Sequence, residues 1–331
     1  MAFYKGLLSM NVKDDNMSVQ LCKSILVDVS TQKTANMNYH FTPKAYTWPK
    51  DAHLALSIVV NVEEGAEANI LDGDKYPEPV DEMGIALKRP IRNYGNESNY
   101  RYGITRGAPR VMRLLEQYGI SATFTACALA LERAPELARE IVRQGHEVTS
   151  HGYRWGHQFT MMEDEERAYI RKATESIRQT TGKAPVGWLS RYLITANTRR
   201  LLIEEGYQYH MDDFGDDEPS WDSHAGKPIV VLPYQVDNND MKMWSEPSYT
   251  PDQWLKYAID NFEWSIREGA EQVNMMSIGL HLRIIGRPGR IWALEKFLDH
   301  VKQRSLQPHG PWIATRLAIA SHFATCVPFK G

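Results

Sequence analysis

The pattern of apolar and polar positions divides the chain from residue 54 onward into alternating strand-like and helix-like segments. Residues 54–62, Leu-Ala-Leu-Ser-Ile-Val-Val-Asn-Val, form a nearly continuous apolar run of the kind a parallel sheet buries on both faces. The run stops at Glu63-Glu64-Gly65, and a segment rich in Pro, Gly, Asn and Tyr reaches to about Gly107. Its length predicts a lid or binding loop. Helical periodicity then predicts helices over 109–119, 135–144, 163–181, 197–205, 251–268 and 291–303. In the fifth of these Trp254, Leu255, Ala258, Phe262 and Ile266 form one apolar stripe. Short apolar runs between them predict strands at 121–127, 146–150, 185–189, 229–232, 273–282 and 312–314. Repeated strand and helix units point to a parallel, barrel-like α/β fold. Residues 1–45 carry no sustained period and read as an N-terminal arm with one strand-like stretch at 24–29. Residues 46–331 read as a single catalytic domain.

Composition narrows the function. The 331 residues are 43% hydrophobic, enough for a full α/β core. The net charge is -3 and no dense Lys/Arg run occurs, which argues against a nucleic-acid or anionic-membrane surface. No apolar run reaches the roughly 18 residues of a membrane helix. Cys22, Cys127 and Cys326 are odd in number and far apart, which fits a reducing compartment better than a disulfide framework. The expectation is a soluble cytoplasmic protein.

Four groups of candidate chemistry fall at predicted strand ends: Glu63-Glu64, the run from His151 to His157, Arg191, and His281. In parallel α/β folds that end of the sheet is where ligands bind. Two histidines, an acid pair and an arginine at one rim are the parts needed to hydrolyse an acyl or amide bond. A carboxylate can deprotonate water, an imidazole can protonate the leaving nitrogen, and a cation can hold the oxyanion. The acidic run from Asp212 to Trp221 suggests that an aspartate such as Asp216 orients Arg191 or His281, with Trp221 as a pocket wall.

Several of these stretches resemble the polysaccharide deacetylase-related family (NodB-type, carbohydrate esterase 4-like), in its branch of deacetylase-type allantoinases and cyclic imide hydrolases. The matching residues are Val60-Asn61-Val62-Glu63-Glu64-Gly65, Ser150-His151-Gly152-Tyr153-Arg154-Trp155 and Asn197-Thr198-Arg199-Arg200-Leu201. Further on are Leu232-Pro233-Tyr234, Asn239-Asp240-Met241, Ile278-Gly279-Leu280-His281 and Ile285-Gly286-Arg287-Pro288-Gly289-Arg290. The resemblance implies a distorted (β/α) barrel of about seven parallel strands, a homo-oligomer (dimer or tetramer), and hydrolysis of a carbon–nitrogen bond. The metal-dependent deacetylases carry an Asp-Asp pair on the first strand and a His-x-x-x-His pair after the third. Here the acids are Glu63-Glu64, and Trp155 stands four residues after His151. The family segment matching Arg316-Leu317-Ala318 usually has Asp where Ala318 stands.

These departures favour the ring-opening branch, because a flat aromatic wall suits a small planar ring better than a glycan chain. The expectation is a metal-independent hydrolase of a small cyclic amide, imide or ureide. Glu63 serves as general base, with Glu64 supporting it or contacting substrate, His281 as acid, and His151 positions water or carbonyl. Asn61, Arg154, Trp155, Arg191, Asp216 and Trp221 would bind substrate, with Asn61 on the same strand face as Glu63. The alternative is a zinc-dependent N-deacetylase of an amino sugar or polysaccharide, its metal held by Glu64, His151 and His157.

Overall fold

The computed structural model describes residues 44–80 and 82–331. Most of the expected arm, with its strand-like stretch, lies outside them. The strands are β1 (Leu54–Val62), β2 (Thr123–Ala126), β3 (Glu147–Ser150), β4 (Gly187–Trp188), β5 (Tyr209–His210), β6 (Ser220–His224), β7 (Lys227–Val231), β8 (Met275–His281) and β9 (Pro311–Ile313). They form one sheet in the order β6-β7-β5-β4-β3-β2-β1-β8, with β9 also on β1. All pairings are parallel except β6 with β7. The sheet is a curled, mostly parallel half-barrel; the expected barrel is thus present but open, with an antiparallel edge.

The helices are α1 (Tyr94–Tyr102), α2 (Ala108–Tyr118), α3 (Ala128–Arg133), α4 (Pro135–Arg143), α5 (Glu163–Thr181), α6 (Thr198–Glu204), α7 (Pro251–Glu268), α8 (Leu282–Ile285), α9 (Pro288–Ser305) and α10 (Arg316–Cys326). Among the described residues no helix is long and apolar enough to cross a membrane.

Strand β1 is the axis of this architecture. All nine of its residues are buried, and it pairs with β8 over 55–61, with β9 over 54–56 and with β2 over 59–62. Side chains alternate along it. Leu54, Leu56, Ile58, Val60 and Val62 join the core under the helices. Ala55 and Val59 join the second core with Leu189, Tyr209, Leu232, Tyr234, and Ile319 and Phe323 of α10. The same alternation carries past the strand end: Glu63 continues the inner face and Glu64 the outer one.

The segment expected to be a loop up to Gly107 is partly folded. Helix α1 runs through a π-helical turn, Gly103–Gly107, into α2. This wider turn is possible because two glycines let other groups approach. A Cβ on Gly103 would lie 2.5 Å from Glu64 Oε1, and one on Gly107 would lie 2.0 Å from the Leu282 carbonyl oxygen. Such π insertions often sit at functional sites, and this one packs a tyrosine-bearing helix against the end of β8.

Gly107→Ala forces the added methyl into backbone that cannot rotate away. It should destabilise the fold by about 1–3 kcal/mol, read as a lowered urea midpoint, whereas Gly119→Ala, where a Cβ meets nothing, pays only for its left-handed φ. An unchanged midpoint for Gly107→Ala would contradict this packing.

Candidate active site

Because the strands are parallel, their C-terminal ends share one rim. Glu63 follows β1, His151 follows β3, Arg191 lies three residues beyond β4, and His281 closes β8. These four and Trp155 line one pocket of about 240 Å³, together with Asn61, Leu189, Phe214, Tyr234, Asn239, Lys242 and others. The residues expected at separate strand ends thus converge on one cavity.

The centre of the pocket is the Glu63 carboxylate, only 1% exposed. Its Oε1 stands 3.4 Å from His151 Nε2 and 3.3 Å from His281 Nε2, and its Oε2 accepts from Arg283 Nη1 at 2.8 Å. Burial alone would raise its titration. The neighbouring His281 and Arg283 charges outweigh this and hold the carboxyl well below the usual carboxylate range. His281 is fixed from behind: its Nδ1 lies 2.7 Å from Asp240 Oδ1, and its backbone N–H donates to Asp240 Oδ2 at 2.8 Å. Burial opposes the charge on this ring, yet Glu63 and Asp240 push its pKa up to about 9. The ring is therefore an imidazolium at neutral pH, donating from both nitrogens.

His151 is held differently. Its Nδ1 lies 2.6 Å from the Leu189 carbonyl oxygen. A carbonyl can only accept, so Nδ1 carries a proton, and in the neutral ring Nε2 is an acceptor. The two imidazoles on either side of Glu63 are thus held from behind by different partners, a carboxylate for His281 and a backbone carbonyl for His151. Leu189 is placed by a chain of bonds: Trp188 Nε1 donates to Ser190 Oγ at 2.8 Å, and Ser190 donates to Asp212 from N at 2.7 Å and from Oγ at 2.8 Å.

The remaining expected site residues separate. Glu64 points away from the pocket, as the outer face requires, and accepts from the Arg283 backbone N–H at 3.0 Å and the Glu63 N–H at 3.1 Å. Burial and the Glu63 charge raise its pKa, with Arg283 opposing. Both amide hydrogens of Asn61 are donated inside the protein, at 3.3 Å to Tyr234 Oη and 3.3 Å to the Leu280 carbonyl. Arg191 lines the pocket, but its guanidinium is paired with Glu78 at 3.0 and 2.7 Å and stacked 3.7 Å from the Trp155 ring centre. It braces the tryptophan wall.

Three expected substrate contacts lie elsewhere. Arg154 pairs with Asp74 at 2.5 Å and ties the turn after β3 to the loop after β1. Asp216 is exposed and accepts from its own loop's N–H groups. Trp221 is on the antiparallel β6, with its Nε1 bonded to the Val327 carbonyl at 2.7 Å and its ring on Phe323 and Phe329. The acidic run diverges from the rim because β6 turns back. The groups that orient Arg191 and His281 are Glu78 and Asp240, and the group that neutralises Glu63 is Arg283; none was assigned a role from sequence. Asp240 sits in the family-like Asn239-Asp240-Met241 run. Arg283 stands two residues past His281, in the first turn of α8, where the turn out of β8 brings its guanidinium back to Glu63.

A family model described as "Polysaccharide deacetylase" matches residues 99–210. A Schizosaccharomyces pombe protein named "Putative polysaccharide deacetylase" is 32% identical over 305 residues, which is 86% of this chain and 94% of that protein. The crystal structure of a "probable Polysaccharide deacetylase from Pseudomonas aeruginosa PAO1" aligns with a TM-score of 0.82 at 40% identity, covering 87% of this chain and 96% of that one. That of Puue allantoinase aligns with a TM-score of 0.82 at 39% identity, covering 88% and 96%.

The metal site of the metal-dependent deacetylases does not fit these residues. Trp155 stands where the second histidine of that pattern would be, and its ring is flanked by the Arg191 and Arg283 guanidinium groups, the latter at 5.3 Å. A divalent cation against Glu63 would meet the Arg283 charge already bonded there. Of the zinc set Glu64, His151 and His157, the first faces away from the pocket and the last is exposed. Among the described residues no three His, Cys, Asp or Glu side chains are grouped to hold a metal ion.

Arg283 is 1% exposed and neutralises two buried carboxyls. Arg283→Met should therefore cost roughly 3–5 kcal/mol, the usual price of leaving a buried charge unpaired. Denaturant unfolding at neutral pH measures it, and a loss below about 1 kcal/mol would show that the pair is not the charge balance of the site.

Proposed function

The chain belongs to the polysaccharide deacetylase family, whose members are hydrolases of carbon–nitrogen bonds other than peptide bonds, and on that premise we propose that it opens a small cyclic amide, imide or ureide without a metal. The observation that carries this reading is the buried Arg283 guanidinium, which lies 2.8 Å from Glu63 and 3.6 Å from Glu64 and so already brings a positive charge to both carboxyls. The likeness to Puue allantoinase supports it, as does a small pocket walled by Trp155, Leu189 and Phe214, which accepts one ring more readily than an extended glycan.

In the proposed reaction His151 Nε2 takes a proton from water, and the water oxygen attacks the ring carbonyl carbon. The carbon–nitrogen bond then breaks, and His281 gives its Nε2 proton to the leaving nitrogen, producing a ring-opened acid. An imide or ureide nitrogen shares its lone pair with a second acyl group, so its carbonyl is already activated. Glu63 is ionised but held far below the usual carboxylate range, which makes it a poor proton acceptor. The base role expected of Glu63 from sequence passes to His151, and Glu63 keeps His281 charged and holds its Nε2–H.

Purified, chelator-treated protein should open at least one member of a panel of allantoin, hydantoin, succinimide, glutarimide and dihydropyrimidines. His151→Asn and His281→Asn should each lower kcat by ~10²–10⁴-fold with folding intact. Activity restored only by zinc, or confined to an acetylated chito-oligosaccharide, would overturn the reading.

The pH profile gives a further check. His281 has a folded pKa of about 9 against an ordinary value of 6.5. Its charged form, and the stability that charge supplies, is fully present below 6.5 and lost as pH rises through about 9. The kcat profile should fall on that alkaline limb, and Asp240→Asn should move the limb to lower pH. A limb unmoved by Asp240→Asn would remove His281 as the titrating acid.

A further inference from the structure

Tyr234, three residues beyond β7, reaches the pocket with a buried ring. Its hydroxyl lies over Gly279 of β8, where a Cβ would stand 2.1 Å from it; no other residue could leave room. Two side-chain amides address the hydroxyl, Asn61 Nδ2 at 3.3 Å and Asn239 Nδ2 at 3.1 Å.

The orientation of each amide is fixed by other partners. The Asn61 nitrogen also faces the Leu280 carbonyl, which can only accept, while its Oδ1 accepts the Thr125 hydroxyl. Asn239 Oδ1 accepts the Met241 N–H at 2.8 Å, which leaves its nitrogen for Tyr234. Both amides therefore donate, and both acceptor positions of the phenol oxygen are filled. What remains is its proton, and no acceptor among the described residues takes it. Burial keeps the phenol protonated by pushing its titration up.

We propose that Tyr234 is a catalytic residue that donates this hydrogen bond to the carbonyl oxygen of the substrate as it becomes an oxyanion. The identity of that oxygen as a ring carbonyl rests on the function proposed above. As water adds to the carbonyl carbon, the carbonyl π pair moves onto oxygen and is held by the Tyr234 O–H without proton transfer. When the intermediate collapses the pair returns, the carbon–nitrogen bond breaks, and His281 protonates the nitrogen. The phenol is pre-aligned by Asn61 and Asn239, so no reorientation is needed as charge develops. Those two asparagines are positioning residues, and this gives the buried, internally bonded Asn61 its place in the site.

The test compares wild type, Tyr234→Phe and Asn239→Asp on whichever substrate wild type hydrolyses in the ring panel or among acetylated glucosamine oligomers. Tyr234→Phe should lower kcat by ~10²–10³-fold with KM changed only a few-fold. In Asn239→Asp the new carboxylate accepts the phenol proton and turns the donor inward. It should lose a similar factor near neutral pH and regain activity relative to wild type as pH falls and the carboxyl is protonated. A merely structural role would lower the unfolding midpoint without that pH-dependent ratio. The wild-type substrate range reports on ring opening and the variant ratios report on Tyr234, because an acetamide also forms an oxyanion. Activity on the glycan alone, with Tyr234→Phe impaired, would reject ring opening and keep this inference. A folded Tyr234→Phe within about threefold of the wild-type kcat, well short of the loss expected of an oxyanion donor, or an Asn239→Asp ratio flat with pH, would overturn it.

Discussion

Two glutamates side by side at the end of a buried strand set the constraint that the surrounding rim must satisfy. Isolated in a protein interior, each ionised carboxyl would cost several kcal/mol of solvation, and the two repel one another. Arg283 meets both, with Nη1 at 2.8 Å from Glu63 and 3.6 Å from Glu64. Its own burial is relieved by Tyr100, whose ring centre lies 4.3 Å from the guanidinium carbon. Tyr100 is carried by α1, and in the π turn that follows, Gly103 and Gly107 leave room for Glu64 and the Leu282 carbonyl against the helix backbone. A charge requirement at one strand end thus dictates helix geometry in a segment forty residues away.

The two histidines that flank Glu63 are held from behind by different groups. His281 has a carboxylate behind it and a carboxylate in front; His151 has a carbonyl behind it. A carboxylate stabilises the imidazolium, whereas a carbonyl asks only for one N–H and leaves the second nitrogen free to accept. Environments that divide two similar groups into acid and base are a recurring route to proton transfer near neutral pH. Here the difference lies one layer back, in Asp240 and the Leu189 carbonyl, since both rings face the same Glu63 oxygen.

That layering explains what was legible in the sequence. Hydrophobic period located β1 at its observed bounds, and α5 and α7 likewise, because each is long and faces the core with one repeating pattern. Strand ends then identified Glu63, His151 and His281, since a parallel sheet converts order along the chain into convergence at a rim. The supporting groups were not legible for the complementary reason. Glu78 lies in a loop whose path is set by tertiary bonds, to Arg191 and to the N–H groups of Ala68 and Val80. Arg283 was hidden because β8 was read one residue too long, through Leu282, where the chain already turns into α8. Asp216 and Trp221 were drawn into the site because an acidic run after β5 reads as another rim loop, and nothing in their composition reveals that β6 reverses direction. Register and reversal are properties of pairing, and a single chain's pattern does not encode them.

Arg283 supplies the positive charge beside the two buried carboxyls, and Trp155 supplies the face it packs near. Trp155 and Arg283 cannot be considered separately. The tryptophan supplies a π face that Arg283 and Arg191 both approach, and the arginines supply the positive charge that a cation would otherwise bring. Restoring a histidine at position 155 alone would remove the face and leave the guanidinium beside Glu63, so a metal would still be repelled. Removing Arg283 alone would leave the buried carboxylates without their countercharge. Trp155 and Arg283 come from beyond the ends of β3 and β8, two strands that the sheet separates by β2 and β1. Shape at one strand end and charge at another are a single device, and the curled sheet is what holds them within reach of the same carboxylate.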